Sequence, residues 1–353
     1  MKLIDFQPVM IGRDRWGDAP AGMRSVAMFE SAEKVSNFSR LHHAISRNPE
    51  AMVRLLKPFD VSLIHAHFGV DAVYAQRVAE SIDVPLVTTF HGFDVTTRVS
   101  SMIASAKPSW LNYMFHRRSL ARNGRLFVCV SKFIRDKVLA QGFPEDRVRL
   151  HYMGVDTNAI RPRKTSASEP IVLHVGRLVE KKGCADLIDA FSKLPKRFSD
   201  ARLVVVGEGP LRKSLEDRAS KLGLTPRVEF MGAQPQYRVH QLMQSAMALC
   251  QPSVTARSGD AEGLGMVLLE AAASGIPVIG TRSGGIPEAV IDGQTGFLVE
   301  EHDTAALSQA IVDVLGSPAL RETMGKSARS FVEKHFDVSR QSSLLSALYK
   351  EIL

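Results

Sequence analysis

The sequence predicts an α/β protein of two doubly wound parallel-sheet domains in tandem, and three observations predict it. Short apolar runs alternate with helical periods in the rhythm of buried parallel strands and crossover helices. That rhythm pauses over residues 154–170, where Pro162, Pro170 and several Ser and Thr make a linker, and then restarts. A chain of 353 residues with 45% hydrophobic content can fill two cores. In such sheets ligands bind beyond the C-terminal ends of the strands.

Composition narrows the class further. No apolar run approaches the roughly 18 residues needed to span a bilayer, and the N-terminus lacks the apolar core of a signal peptide, so a cytoplasmic protein is expected. Cys129, Cys184 and Cys250 are widely spaced in mostly apolar contexts and read as reduced, buried thiols. The net charge of +8 is uneven. Residues 1–163 hold 23 Lys and Arg against 15 Asp and Glu, whereas residues 164–353 hold 22 of each. A basic half implies an anionic partner: nucleic acid, anionic lipid or a phosphate-linked acceptor. No nucleic-acid-binding motif favours the first.

In chain order, residues 6–11 read as one strand, a polar segment with Trp16, Pro20 and Gly22 follows, and residues 26–56 carry a helical pattern. Residues 62–67 and 85–90 read as buried parallel strands with a helix between them, and residues 126–131 and 148–153 continue the alternation. The first of these strands runs into His65-Ala66-His67-Phe68-Gly69 and the second into His91-Gly92-Phe93-Asp94. A strand-end histidine is either a packed structural group or part of a site, and spacing alone leaves both open. Residues 107–125 interleave large apolar residues with Arg117, Arg118, Arg122 and Arg125. They read either as an interfacial helix on anionic lipid or as a helix packed on the sheet with an ordinary solvated face.

Beyond the linker, residues 171–175, 203–206, 228–231 and 247–250 read as strands. The first three run into Gly176-Arg177, Gly207-Glu208-Gly209 and Gly232, and a helix begins near Ala185. Arg177 and Lys182 stand directly after a strand, in a G-R-x-x-x-K-K-G run. The stretch 250–299 is the most informative. Its polar loop ends in Gly263 and Gly265 before a helix that Gly275 stops. Such a helix start offers free N–H groups and about half a unit of positive charge to an anion. Glu262 stands at its mouth. Glu270 lies within the helix among Met266 to Ala273, apolar on every side, so the helix is expected to be buried. A buried carboxylate needs a partner. Glu270 therefore caps a neighbouring helix, pairs with an arginine, or holds one end of an elongated ligand whose other end meets Glu262. Residues 304–315, 318–335 and 338–353 read as closing helices.

The pair Glu262 and Glu270, followed by Ser283-Gly284-Gly285-Ile286-Pro287-Glu288 and by Asp292-Gly293 to Gly296-Phe297-Leu298-Val299, resembles the family 4 retaining glycosyltransferases, which share the GT-B fold. The Gly176 to Gly183 run resembles that family's, and Thr89-Phe90-His91-Gly92-Phe93-Asp94 resembles its first-domain active-site turn. Together with His65-Ala66-His67-Phe68-Gly69, that turn looks most like bacterial exopolysaccharide enzymes of the colanic acid type. The resemblance covers about residue 60 to the end well and the first 55 residues loosely. The family's usual first strand and glycine-rich turn are not evident, and Gly17 to Gly22 is a poor substitute because no buried strand precedes it.

The resemblance implies two Rossmann-like domains facing across a cleft. Residues 1–160 would form an acceptor-binding domain, incomplete at its start, residues 161–337 a nucleotide-sugar-binding domain, and residues 338–353 a helix packing back on the first. It implies a retaining transfer of sugar from a nucleotide-diphosphate sugar to a growing, lipid-linked bacterial polysaccharide, with no cofactor and no metal, the donor's leaving phosphate taking the acceptor's proton. Carried over residue by residue, Arg177, Lys182, Gly263 and Gly265 would meet the donor diphosphate and Glu270 the ribose hydroxyls. Glu262 would hold the hydroxyls of the transferred sugar, and Gly207, Gly209, Met231 and Gly232 would flank the base. His91 would contact the sugar or its developing charge, and His67, Asp71 and Asp94 would lie on the acceptor side. The enzyme would work in the cytoplasm, peripheral on the inner face of the plasma membrane. Two other readings stay open: a nucleotide-sugar-binding protein with lost or weak catalysis, its front wall incomplete, and a GT-B sugar-nucleotide epimerase.

Overall fold

A computed structural model describes residues 6–14, 24–29, 37–163 and 169–353. The chain divides into a first unit of residues 1–151 with 339–353 and a second unit of residues 152–338. Every strand pairing among the described residues is parallel. None of the helices they form is long and apolar enough to cross a membrane.

In the first unit, β1 (Val9–Asp14) pairs with β2 (Arg24–Phe29) as a separate two-stranded sheet. A four-stranded sheet follows in the order β3 (Ile64–His67), β4 (Leu86–Phe90), β5 (Leu126–Cys129) and β6 (Val148–Leu150). All five residues of β4 are buried, as a strand covered on both faces requires. One face is covered by the C-terminal helix Val338–Lys350, whose Leu345 and Tyr349 pack with Val87, Leu126 and Val128. Phe90, Phe127 and Phe143 meet edge to face with ring centroids 4.8 to 5.1 Å apart where Phe143 touches the other two.

The second unit holds six strands: β7 (Ile171–Val175), β8 (Arg202–Val206), β9 (Val228–Gly232), β10 (Ala248–Gln251), β11 (Val278–Thr281) and β12 (Gly296–Val299), in spatial order β12-β11-β10-β7-β8-β9. Leu187, Ile188 and Phe191 of the helix Cys184–Ser192 pack with Leu307, Ile311 and Val314 of the helix Thr304–Gly316 on Val172, Leu203 and Val205. Asp303 caps the latter helix by accepting from the N–H groups of Ala305 and Ala306, and Ser317 caps the helix Pro318–His335 by accepting from Leu320.

Three expectations are corrected. Residues 26–56 are not helical throughout: 24–29 form β2, in register with β1 from Val9 opposite Arg24. Residues 37–56 break into the helices Asn37–Ser46 and Glu50–Leu56, because Arg47 turns at φ +54° and Pro49 stands at the start of the second helix. The strand expected over 126–131 ends at Cys129, since Ser131 accepts from the Ile134 N–H as the cap of the helix Lys132–Ala140. The expected linker is anchored in its first half. Val155 N–H donates to the Phe336 carbonyl at 2.8 Å, and Arg329 donates to the carbonyls of Thr157 and Ile160 at 2.6 Å each. The division consequently falls at 151/152, ahead of 160/161. Trp16, Gly17 to Gly22 and the late linker residues 164–168 lie outside the described residues.

Candidate active site

The order of the second sheet reverses between β7 and β10, the switch point outside which such sheets bind ligands. The turns that follow its strands are locked together there by backbone contacts. Gly207 N–H donates to the Gly232 carbonyl at 2.8 Å, and Leu178 N–H to the Glu208 carbonyl at 2.9 Å. A Cβ on Gly207, at φ +136°, would stand 1.9 Å from the Gly176 carbonyl oxygen, and one on Gly183, at φ +64°, would stand 1.7 Å from that of Pro252. Only glycine permits either approach. Gly207, Gly209, Met231 and Gly232 are thus brought together at the ends of β8 and β9.

Charge is arranged across the switch point. Lys182 Nζ lies 2.5 Å from Glu262 Oε2, with their side chains 15% and 14% exposed, and Lys181 Nζ lies 3.0 Å from Asp260 Oδ1. Val254 N–H donates to the Lys181 carbonyl at 2.9 Å, so the loop after β10 is fastened to the turn after β7 by two ion pairs and a backbone bond. Burial pushes the Glu262 carboxyl up, but the Lys182 and Lys181 charges outweigh it and hold the group below the usual carboxylate range. Lys181, read beside Lys182 in one motif, is therefore also paired. Arg177 is exposed and has no partner among the described residues.

Glu270 sits on the helix Met266–Ala273, whose start is set by Gly265 at φ +85°. Gly263 and Gly265 are buried just ahead of it. Glu270 is half-buried, and its carboxylate makes no hydrogen bond or ion pair among the described residues, so it neither caps a neighbouring helix nor meets an arginine. Burial alone pushes its pKa up. One group went unnoticed in the sequence. His174, inside β7, is fully buried, with Nδ1 3.0 Å from the Cys250 carbonyl oxygen and Nε2 unpartnered. Burial, with the Lys182 charge nearby, depresses it to about 4 against the Cys250 bond. Its only signal was a polar residue inside an apolar strand.

The first unit carries the second cluster. His67 Nδ1 and His91 Nε2 lie 2.9 Å apart at the ends of β3 and β4, and the His65 ring stacks on His67 at 4.7 Å. Between His67 and Gly69 the chain turns at Phe68 with φ +70°, a conformation a bulky residue holds only when its surroundings impose it. The Phe68 ring lies 4.6 Å from His91 and 4.7 Å from Phe93. Burial, and then the neighbouring His67, depress His91 to about 4, so it is neutral near pH 7. Asp71 is exposed in the first turn of the helix Gly69–Ile82.

Asp94 requires a correction. It is fully buried, with Oδ2 accepting from Gly69 N–H at 2.9 Å and Oδ1 from Gly92 N–H at 3.0 Å. It ties the turns after β3 and β4 together and does not face an acceptor. Desolvation raises it to about 6 against these N–H groups. A link absent from the sequence reading is His65, whose Nδ1 is 2.5 Å from the Tyr349 hydroxyl and whose Nε2 is 2.6 Å from Thr89 Oγ1.

Residues 17–159 match the family described as Glycosyltransferase Family 4, and residues 156–331 match Glycosyl transferases group 1. The WcaL protein of Escherichia coli K12, assigned as a colanic acid biosynthesis glycosyltransferase, is 33% identical over 301 residues, 82% of this chain and 72% of its own. The amylovoran biosynthesis glycosyltransferase AmsK of Erwinia amylovora is 28% identical over 285 residues, 80% of this chain and 68% of its own. HepE of Anabaena, solved in complex with UDP-glucose, superposes with a TM-score of 0.77 at 21% identity, covering 98% of this chain and 100% of that one. At that identity the likeness is one of fold.

Proposed function

We propose, from the premise that the chain belongs to the glycosyltransferases, with a family 4 first half and a group 1 second half in a GT-B fold, that it is a metal-independent retaining enzyme. It transfers a sugar from a nucleotide-diphosphate sugar to a growing, lipid-linked bacterial exopolysaccharide. Relatives assigned to colanic acid and amylovoran synthesis support the polysaccharide, and a fold neighbour holding UDP-glucose supports the donor class.

The observation that carries the reading is the partnerless, half-buried Glu270 beside a glycine-set helix start, in the same loop system as the Lys182–Glu262 pair. A nucleotide sugar satisfies all of these groups at once. Its ribose hydroxyls donate to Glu270, and its diphosphate takes Arg177, Lys182 and the N–H groups of the helix start behind Gly263 and Gly265. Each charge-assisted contact contributes about 1.5–3 kcal/mol. Lys182 turned toward phosphate frees Glu262 to accept from the sugar's hydroxyls. Gly207, Gly209, Met231 and Gly232 flank the base. On the other unit, neutral His91 is assigned to the sugar and His67 and Asp71 to the acceptor. In the transfer, the acceptor oxygen bonds to the anomeric carbon as the bond to the phosphate oxygen breaks. The hydroxyl proton passes to that leaving oxygen on the same face, which retains configuration without a protein nucleophile.

A lipid-linked acceptor makes the enzyme peripheral on the inner face of the plasma membrane. The test is transfer and donor hydrolysis over a panel of UDP- and GDP-sugars, with and without EDTA, with the product anomer read by NMR. Transfer that survives EDTA and keeps the anomer is expected. Strict metal dependence or an inverted product overturns the mechanism, and donor epimerisation without acceptor overturns the reaction class.

A further inference from the structure

The helix Pro108–Asn123 buries Tyr113, Leu120 and Ala121 and turns Phe115, Arg118 and Arg122 outward, at the i, i+3, i+7 spacing of a single face. Phe115 is 77% exposed, an aromatic ring at the centre of an outer face with arginines one and two turns along. This helix packs chiefly against Gly69–Ile82 and is flanked by two further helices, Asn37–Ser46 and Val99–Ala104. Asn112 Nδ2 donates to the Ala44 carbonyl at 2.6 Å. Those neighbours also present aliphatic side chains to solvent: Leu41 and Ile45 on one, Val99 and Ile103 on the other, with Ile45 59% and Ile103 54% exposed. Isolated exposed apolar residues are ordinary, but five on three adjoining helices are the mark of an interaction surface.

Its charge says what covers it. Between Asp94 and Asp136 the sequence contains no carboxylate side chain, while it places Arg98, Lys107, Arg117, Arg118, Arg122 and Arg125 there. Arg98, Lys107, Arg118, Arg122 and Arg125 are exposed. The +8 of residues 1–163, against zero in the rest of the chain, has its densest acid-free stretch on this face. A basic rim around solvent-facing Phe, Ile, Leu and Val fits anionic headgroups above acyl chains. Nucleic acid would satisfy the arginines and leave the aliphatic groups unmatched.

We propose that this three-helix face docks on an anionic lipid bilayer, with Phe115 inserted at the headgroup boundary and Arg118 and Arg122 reaching the lipid phosphates. The inference deepens the membrane-peripheral reading of the function and gives it a surface. The experiment is flotation of the full chain with vesicles of phosphatidylcholine alone or mixed with phosphatidylglycerol, at low and high salt. UDP- and GDP-sugar binding is measured in parallel without vesicles. Binding to the mixed vesicles only, released by salt, is expected. The double variant R118Q/R122Q should weaken partitioning roughly thirtyfold and F115S about tenfold, with nucleotide-sugar affinity and melting temperature unchanged. Equal binding to neutral vesicles, or indifference to all three substitutions, overturns the proposal. So does a concentration-dependent dimer abolished by F115S without vesicle binding, since that would make the face an interface between copies. Loss of nucleotide-sugar binding in the unaltered chain with vesicle binding intact would instead fault the enzymatic reading and leave the surface standing.

Discussion

The Lys182–Glu262 pair decides more than its two charges suggest, because each member is nearly out of solvent and neither has a second ionic partner of equal proximity. Removing the carboxylate leaves an ammonium to be desolvated alone, and breaking a buried pair from one side costs about 3–5 kcal/mol. With both groups still touching water, E262Q should cost about 2 kcal/mol, read as a lowered denaturant midpoint, together with weaker nucleotide-sugar binding by calorimetry. The pH dependence follows from the depressed Glu262 carboxyl. Its stabilisation is present above the ordinary carboxylate range and lost as pH falls through the lower folded value, so E262Q should flatten the stability profile there. His91 acts in a higher window. It is charged in the unfolded chain below its ordinary 6.5 and stays neutral in the fold down to about 4, so stability falls as pH drops between these values. H91Q should remove the His91 share of that loss and leave the part due to buried His174, and urea titrations across the window would show the reduced slope. Asp94, raised from 3.8 to about 6, has the opposite sign and loses stability as pH rises through that span. The spacing of Glu262 and Glu270 was legible in the sequence, but the ion pair was not, because Lys182 and Glu262 are joined only by the adjacency of β7 and β10. Asp94 reads the same in the string whether its carboxylate turns outward or inward, and only the positions of the Gly69 and Gly92 N–H groups decide.

At the scale of elements, the turns matter more than the strands that carry them. G183A puts a methyl group into the Pro252 carbonyl at a positive φ, and G207A does the same at Gly176. Neither neighbour is a flexible side-chain end, so the backbone must move and the strain and clash together should cost about 3 kcal/mol or more. Both variants should melt lower and lose nucleotide binding, whereas G223A, whose added methyl meets nothing within 4 Å, should cost no more than the strain of its φ of +70°. A Gly207 variant that keeps full affinity would show that the turn contact does not shape the site. The buried strands of both sheets were legible because runs such as 86–90 and 171–175 are largely apolar, with no charged residue on either face. β2 was not, because it is the pairing with β1 that holds residues 24–29 extended, and a local window sees a helical spacing instead. The helix Pro108–Asn123 was half legible: its existence followed from composition, but the outward turn of Phe115 did not, because periodicity alone does not fix which face is buried.

At the scale of the whole molecule, the C-terminal helix makes the first unit discontinuous in sequence. Its period foretold a buried face and not the sheet that buries it. Leu345 and Tyr349 complete the core over Val87, Leu126 and Val128, Phe6 meets Tyr349 edge to face at 5.3 Å, and the Tyr349 hydroxyl supplies a partner to half-buried His65. The matched family residues end at 331, so this helix lies beyond them while supporting the sheet whose strands lead into His67 and His91. Y349F keeps the ring and removes the hydroxyl, leaving His65 Nδ1 buried without its hydrogen bond, and should cost about 1–3 kcal/mol. Removal of residues 339–353 goes further, since it uncovers one face of β4 and β5. The second unit keeps its own core of Leu187, Ile188, Phe191, Leu307 and Ile311 in either case. Calorimetry should therefore show the first transition lowered in Y349F and missing in the truncated chain, with the second transition, and its shift by added UDP or GDP, preserved. A single transition moving as one in both variants would mean that the two units do not melt independently, and that the C-terminal helix stabilises the molecule as a whole and not the sheet it covers.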